Sequence, residues 1–247
     1  MIGMIIQARM ASTRLPGKVM LPLNNKPMLQ YQIERLQKSK MVKKIVIATS
    51  TNPENEVIRE LAARMNIGCY SGSEEDVLDR YYQTAKMFGF DIIVRITGDC
   101  PLHDPKVVDD VIKKFLEDKA DYTNNVDPPS FPDGFDMEVF TFKALEKAHA
   151  QATVPHHREH VTAYIRETNG FKKTVVKCDS DLSKFRFTVD TSADYFVAKK
   201  VVEILHDDFL DGEFSLWDII EIVENDSLLV RLNTGVVRDE KYLEQKK

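Results

Sequence analysis

Short apolar runs alternating with stretches of helical period fill the first half of the chain, and this alternation limits the possible folds more than any other feature. Met4 to Ala8, Lys44 to Thr49, the vicinity of Cys69 and Tyr70, and Ile92 to Thr97 read as strands. Between them the pattern predicts helices. One opens at Pro27 with an apolar stripe of Met28, Ile33 and Leu36. Another follows Asn52-Pro53 to about Met65, a third runs from about Asp76 to Phe88, and a fourth starts at Pro105 and reaches about Lys119. Parallel strands need a long crossover, and a helix is the usual one. The expected core is therefore a mostly parallel sheet built from right-handed βαβ units.

The second half is less regular. Pro128, Pro129 and Pro132 precede an Asp133-Gly134 turn. Helices are predicted over Phe142–Gln151, His160–Glu167, Ala193–His206 and Leu216–Asn225, with strands over Lys173–Lys177 and Phe185–Val189. This is an α+β excursion over residues 121–189 that returns to the core near Val189. No composition break or linker divides the 247 residues, so a single domain over 1–247 is expected.

Charge and cysteine usage exclude several classes. With 34 Lys and Arg against 39 Asp and Glu, the net charge is −5, which lacks the basic footprint of a general nucleic-acid binder. Cys69, Cys100 and Cys178 show no C-x-x-C spacing, so neither a disulfide framework nor a zinc knuckle is indicated. The apolar run at Met1–Ile6 is too short for a signal-peptide core, and nothing later approaches the ~18 apolar residues of a membrane span. A cytoplasmic protein with no membrane and no nucleic-acid partner is the expectation.

In open α/β sheets, ligands sit at the carboxyl ends of the strands. The loop after the first strand, Ala8 to Lys18, combines small residues with the hydroxyls of Ser12 and Thr13 and the cations Arg9, Arg14 and Lys18. Small residues let backbone N–H groups approach an anion, and the cations suit a polyphosphate. The same residues also suit a solvated basic loop. The dinucleotide fingerprint G-x-G-x-x-G is absent. A P-loop would need Gly at position 12 and Ser or Thr at position 19, which are Ser12 and Val19.

Gln7-Ala8-Arg9-Met10-Ala11-Ser12-Thr13-Arg14-Leu15-Pro16-Gly17-Lys18 resembles the nucleotide-binding signature of the cytidylyltransferases that activate acidic sugars, the CMP-ketodeoxyoctulosonate and CMP-acylneuraminate synthetases. The match is nearest to the spore-coat polysaccharide biosynthesis branch. Further segments agree with that branch in order: Gly72 to Tyr81, Arg95 to Pro101, Asp133 to Glu138, Arg158 to Thr162 and Thr188 to Thr191. Two places depart from the sugar-acid synthetases. Thr97-Gly98-Asp99-Cys100-Pro101 stands where they carry Gln-Gly-Asp-x-Pro, and Gly72-Ser73-Glu74-Glu75-Asp76 replaces a Gly-Thr-Asp-Arg type segment. These departures leave the base and the acceptor open.

The resemblance implies a three-layer, Rossmann-like nucleotide-diphospho-sugar-transferase fold. It also implies a Mg²⁺-dependent transfer of CMP from CTP to a sugar acid or related polysaccharide precursor, with pyrophosphate leaving. Asp99 and Asp190 would hold the metal; taken singly, an Asp after a strand is more often a cap or turn former. Arg14 and Lys18 would contact the phosphates, and with Asp99 they form the expected catalytic set. Ala8, Arg9, Ser12, Thr13, Thr97 and Gly98 would line the nucleotide, with Ser73 and Arg80 near base and ribose. Asp133, Asp136, Glu138, Arg158, Glu159 and His160 would receive an acidic or phosphorylated acceptor, Arg158 pairing its carboxylate or phosphate. The excursion is where the family dimerises, so a homodimer is expected.

Two rivals have sequence support. Asp179-Ser180-Asp181 supplies the D-x-D pattern of a nucleotide-sugar glycosyltransferase, although in a polar turn rather than at a core strand end. A nucleotide-binding protein without turnover is the other, and retention of both Asp99 and Asp190 argues against it. His156 and His160, on one helical face, permit a zinc reading, but H-E-x-x-H and a Cys partner are missing.

Overall fold

The computed structural model describes residues 1–208 and 213–232. In chain order the elements are β1 (Ile2–Gln7), β2 (Pro22–Leu23), β3 (Lys26–Pro27), α1 (Met28–Leu36), β4 (Lys44–Ser50), α2 (Glu56–Arg64), β5 (Gly68–Gly72), α3 (Val77–Phe88), β6 (Ile92–Thr97), α4 (Pro105–Asp118) and β7 (Tyr122–Asn124). There follow β8 (Glu138–Thr141), α5 (Phe142–Gln151), α6 (Pro155–Glu159), α7 (Ala163–Glu167), β9 (Lys173–Val175), α8 (Ser192–Asp208), α9 (Leu216–Asn225) and α10 (Ser227–Leu232).

Seven strands form one sheet in the order β5-β4-β1-β6-β8-β7-β9. β5, β4, β1 and β6 run parallel, β8 is antiparallel to both neighbours, and β9 is parallel to β7. Alternation along β1 shows why both faces are covered. Met4 and Ile6 join Leu29, Ile33, Leu61 and Val111 under α1, α2 and α4. Ile5 points the other way, into Leu78, Tyr81 and Leu145 of α3 and α5. All three strand residues are fully buried. The result is a three-layer α/β fold, as the resemblance implies.

The topology also locates the site. From β1 the chain moves outward through β4 to β5, then crosses back to place β6 on the other side of β1. Ligands collect at such a reversal, outside the carboxyl ends of the flanking strands. Here those ends are Gln7 and Thr97, which are direct neighbours in the β1–β6 register. Gly98 makes the close approach possible: its N–H donates to Gln7 O at 2.8 Å, and a Cβ would lie 3.0 Å from both Gln7 O and the Ala8 Cβ.

The second half departs from expectation at three places. Among the described residues Phe185–Val189 joins no ladder, and its strand-like pairing is an isolated bridge between Asp133 and Arg186. Its backbone bonds go to loops instead, from Phe187 N–H to Asp133 O and from Val189 N–H to Asp99 O. Phe185, Phe187 and Val189 feed a separate apolar cluster with Val197, Val201, Ile219 and Ile220 of α8 and α9. Of the helix expected over His160–Glu167 only α7 forms, from Ala163; α6 ends at Glu159, before that range, and buried Val161 at φ 44° lies between the two. The break turns Thr162 inward, where its hydroxyl donates to Glu138. Finally, Glu138–Thr141 is an unpredicted strand, and residues 121–189 contribute three strands to the same sheet rather than a separate layer.

Candidate active site

A cleft of about 1180 Å³ opens at the reversal between β1 and β6. Every residue that the resemblance assigns to the catalytic, nucleotide, metal or acceptor sites lines it except Ser73. Ser73 is exposed, and its hydroxyl accepts the N–H of Asp76. The cleft is walled by five stretches: the loop after β1, the start of α3, the turn after β6, the 133–138 loop with α6 and Arg166, and the segment from Arg186 to Asp190.

At its floor lies Lys18. The loop that carries it is closed by Gly17, whose positive φ of 70° lets its N–H donate to Met10 O at 2.9 Å. A short helical turn follows, and it buries Lys18 to 7% exposure. The Lys18 ammonium lies 2.8 Å from Asp99 Oδ2 and 2.8 Å from Asp190 Oδ1. Burial works against a charged lysine, but the two carboxylates outweigh it and hold Lys18 above its ordinary value. Burial would likewise raise Asp99. Lys18, with added bonds from Thr97 and its own backbone, holds that carboxyl at about 2. Asp99 is therefore ionised at neutral pH.

The second oxygen of Asp190 is shared by two arginines, Arg14 Nη2 at 2.8 Å and Arg186 Nη2 at 2.9 Å. Arg14 is half-exposed and Arg186 is buried. Two carboxylates 91 positions apart in the chain thus converge on one point, with three cations around them. A divalent cation of the Mg²⁺ type takes one or two carboxylates plus phosphate oxygens and water, so this donor set fits it. Among the described residues no three His, Cys, Asp or Glu side chains form a metal cluster. His156 and His157 instead both meet Glu167, at 3.2 and 2.9 Å.

Along the nucleotide side, Arg9 pairs with Glu74 across the cleft mouth. Arg80 is buried behind them, donating to Ser73 O at 2.7 Å, while its buried Nε has no hydrogen-bond partner among the described residues. Burial lowers the Arg80 pKa. Ala8, Ser12, Thr13, Thr97 and Gly98 complete this wall. Glu74 was missed by the sequence reading, and the Gly72-to-Asp76 departure was its only signal.

On the opposite side, charges are paired within the protein. Glu138 Oε1 accepts from Tyr122 and Thr162, and its Oε2 accepts from Arg95. Burial would raise Glu138, but Arg95 and Arg166 overcome it and hold the carboxyl at about 2. Arg158, expected to meet a substrate anion, donates to Asp76 Oδ2 at 3.0 and 2.5 Å and to His149 O at 2.9 Å. It thereby ties α6 to the N-terminus of α3. Asp133 pairs with Arg186, while Asp136, Glu159 and His160 line the same wall. His103 is buried behind this wall, its ring nitrogens 2.8 Å from Cys100 O and 3.1 Å from Asp136 O, joining the Asp99 turn to the acceptor-side loop. Arg95, Arg166 and Arg186 are cleft residues that the sequence did not single out. Asp179 and Asp181 lie outside the cleft, and Asp181 accepts from Ser183 in an exposed turn.

This geometry has relatives. A cytidylyltransferase family model matches residues 3–232. An uncharacterised protein of Methanocaldococcus jannaschii is 37% identical over 97% of this chain and 97% of its own length. The Bacillus subtilis spore coat polysaccharide biosynthesis protein SpsF is 33% identical over 77% of this chain and 82% of its own. The solved structure of a cytidylyltransferase from Leptospira borgpetersenii superposes with a TM-score of 0.88 at 35% identity, covering 96% of this chain and 99% of that one. With the fold, the strand-end site and matches over nearly the whole length in agreement, the chain belongs to the cytidylyltransferase family and is a nucleotidyltransferase.

Proposed function

We propose that this enzyme transfers CMP from CTP to a sugar acid or related polysaccharide precursor, with release of pyrophosphate. The observation that carries the reading is the meeting of Lys18, Asp99 and Asp190 at the β1–β6 reversal, with Arg14 beside them. An acceptor oxygen attacks the α-phosphorus as the bond to the pyrophosphate oxygen breaks. Such a reaction asks the protein chiefly to position reactants and neutralise charge. Arg14 and Lys18 hold phosphate oxygens in this reading, and Arg9, Ser12 and Thr13 border them. Arg80 faces the base and ribose. Asp133, Asp136, Glu138, Glu159 and His160 form the acceptor wall, and Arg158 keeps that wall docked on α3.

Asp99 and Asp190 would hold Mg²⁺, which when bound supplies positive charge against the phosphate oxygens. A carboxyl held at about 2 is a weak proton acceptor at neutral pH, so Asp99 serves as a ligand rather than a general base. A homodimer in the cytoplasm completes the reading. Among the described residues no helix is long and apolar enough to cross a membrane.

A pyrophosphate-release screen tests it, crossing the four nucleoside triphosphates with sugar acids and phosphorylated acceptors. Release is expected with CTP and an acidic sugar. Failure to bind any nucleoside triphosphate in the presence of Mg²⁺ would reject the reading. Light scattering should give twice the 28.3 kDa chain mass.

A further inference from the structure

Arg186 is the most heavily engaged side chain in the cleft wall, and nothing in the reading above requires it. Its guanidinium spans three carboxylates. Nη1 donates to Asp133, Nη2 to Asp190 Oδ2 at 2.9 Å, and Nε to Asp194 Oδ1 at 3.0 Å. The other oxygen of Asp194 accepts from the N–H groups of Asp190 and Thr191, at 3.0 and 2.8 Å, and from the Thr191 hydroxyl at 2.9 Å. Asp190 is thus gripped twice. Its carboxylate is held directly by Arg186, and its backbone is held through Asp194, which Arg186 also holds.

The segment bearing Arg186 belongs to no ladder, so the sheet does not fix it. It is bolted instead to the loops on either side of the cleft. Asp133 N–H donates to Phe185 O at 3.0 Å, Asp133 O accepts from Phe187 N–H at 2.6 Å, and Gly134 lies so close that a Cβ would stand 2.4 Å from Thr188 N. Val189 N–H donates to Asp99 O at 2.8 Å. A planar fork with three separately directed donors meets three carboxylates here, a task that a lysine ammonium on a flexible stem cannot reproduce. Arg186 is raised above its ordinary value: burial works against its charge, but Asp194, Asp133 and Asp190 outweigh it.

We infer that Arg186 is a positioning residue. By holding Asp190 Oδ2 and the Asp194 brace, it aims Asp190 Oδ1 at the point shared with Asp99. The inference rests on the metal role proposed for Asp99 and Asp190. In the sequence the device is a spacing of three charged residues, Arg186, Asp190 and Asp194, four apart. The spacing looks helical, yet only Asp194 lies in a helix.

The test is Mn²⁺ binding to the protein–CTP complex, followed by electron paramagnetic resonance, with far-ultraviolet circular dichroism and thermal melting to establish folding. Partners that orient a metal ligand typically contribute 10–100-fold to metal affinity. Arg186→Lys is expected to raise the Mn²⁺ dissociation constant about tenfold or more. Asp133→Asn leaves both bonds that grip Asp190 in place and is expected to keep it within about twofold. An equal loss in both variants would mean general loosening of the cleft and would overturn the inference. So would an unchanged Mn²⁺ affinity in folded Arg186→Lys. Should Arg186→Lys fail to fold, Asp194→Asn decides: weakening of several-fold is expected, and no change overturns the assignment. If wild-type protein with CTP binds no Mn²⁺, the metal reading itself falls and this inference with it, an outcome read without any variant.

Discussion

The two sides of the cleft hold their cations in opposite ways. On the nucleotide side, the side chains of Arg9 and Arg14 are 45% and 51% exposed, on a loop with few backbone bonds of its own. On the acceptor side, Arg95 and Arg186 are 20% and 7% exposed and bonded to buried carboxylates. An exposed cation keeps its hydration and its rotational freedom, and can turn toward an anion. A buried pair has already been desolvated, and removing one partner leaves the other charge stranded. In the proposed reading Arg9 and Arg14 are free to bind, whereas Arg95 and Arg186 keep the shape of the cleft. Lys18 lies at the seam, buried like the second group but placed in the loop of the first.

The largest effect is expected at that seam. Asp99→Asn and Asp190→Asn should each reduce turnover by about 10³-fold, roughly 4 kcal/mol of transition-state stabilisation. Melting temperatures should change little, because each variant keeps the Lys18 contact with the remaining carboxylate. Steady-state pyrophosphate release with CTP measures the first quantity. Wild-type rates in both variants would remove the metal role and with it the distinction between seam and walls.

Glu138 tests the shape-keeping side. Glu138→Ala strands Arg95 in a buried site and should cost about 3–5 kcal/mol in urea unfolding. The pH dependence follows from the same pair. The Glu138 carboxyl is held at about 2, below its ordinary 4.5. Its contribution to stability is therefore complete above about 4.5 and disappears as pH falls toward 2. Wild-type protein should lose stability across that window, and Glu138→Ala should lose less. Parallel curves would show that the pair does not shape the acid limb.

The sequence reveals these two sides unequally, for a physical reason. A parallel strand ends in a loop aimed at the ligand, so Ala8 to Lys18 and Thr97 to Asp99 could be placed from apolar runs and their flanks. The βαβ rule then gave a mostly parallel sheet, though not the order of its strands. Arg95, Arg166 and Arg186 carry no such local signal. Arg95 sits inside an apolar strand as a charge that looks misplaced until Glu138 arrives from β8, 43 residues later. The Phe185–Val189 alternation is real, but it packs against α8 and α9 instead of joining a ladder. Long-range pairing of charges and the choice of apolar partner are tertiary facts, and period alone does not contain them.

Arg14 gives a smaller, opposite effect. Arg14→Ala removes one exposed cation proposed to meet a phosphate and should weaken CTP binding about tenfold, close to 1.4 kcal/mol. Unfolding free energy should move by less than about 0.5 kcal/mol. Calorimetric titration measures the affinity, and the loss should shrink as salt is raised, because exposed charges are screened. An unchanged dissociation constant would return Arg14 to an ordinary solvated loop.

A small effect on stability is likewise expected at Arg9, which pairs with Glu74 at the cleft mouth. Exposed pairs of this kind contribute about 0–1 kcal/mol, since two long side chains must be ordered for a bond that water already offers. Arg9→Ala should therefore leave urea unfolding within about 1 kcal/mol of wild type. The pair still joins the loop after β1 to the segment before α3 across the nucleotide side. If Arg9 does border the triphosphate, its removal should raise the Michaelis constant for CTP while leaving turnover at saturation close to wild type. A variant destabilised by several kcal/mol would place Arg9 with Arg95 and Arg186 among the shape-keeping charges, and exposure would then fail as the property that divides the two sides.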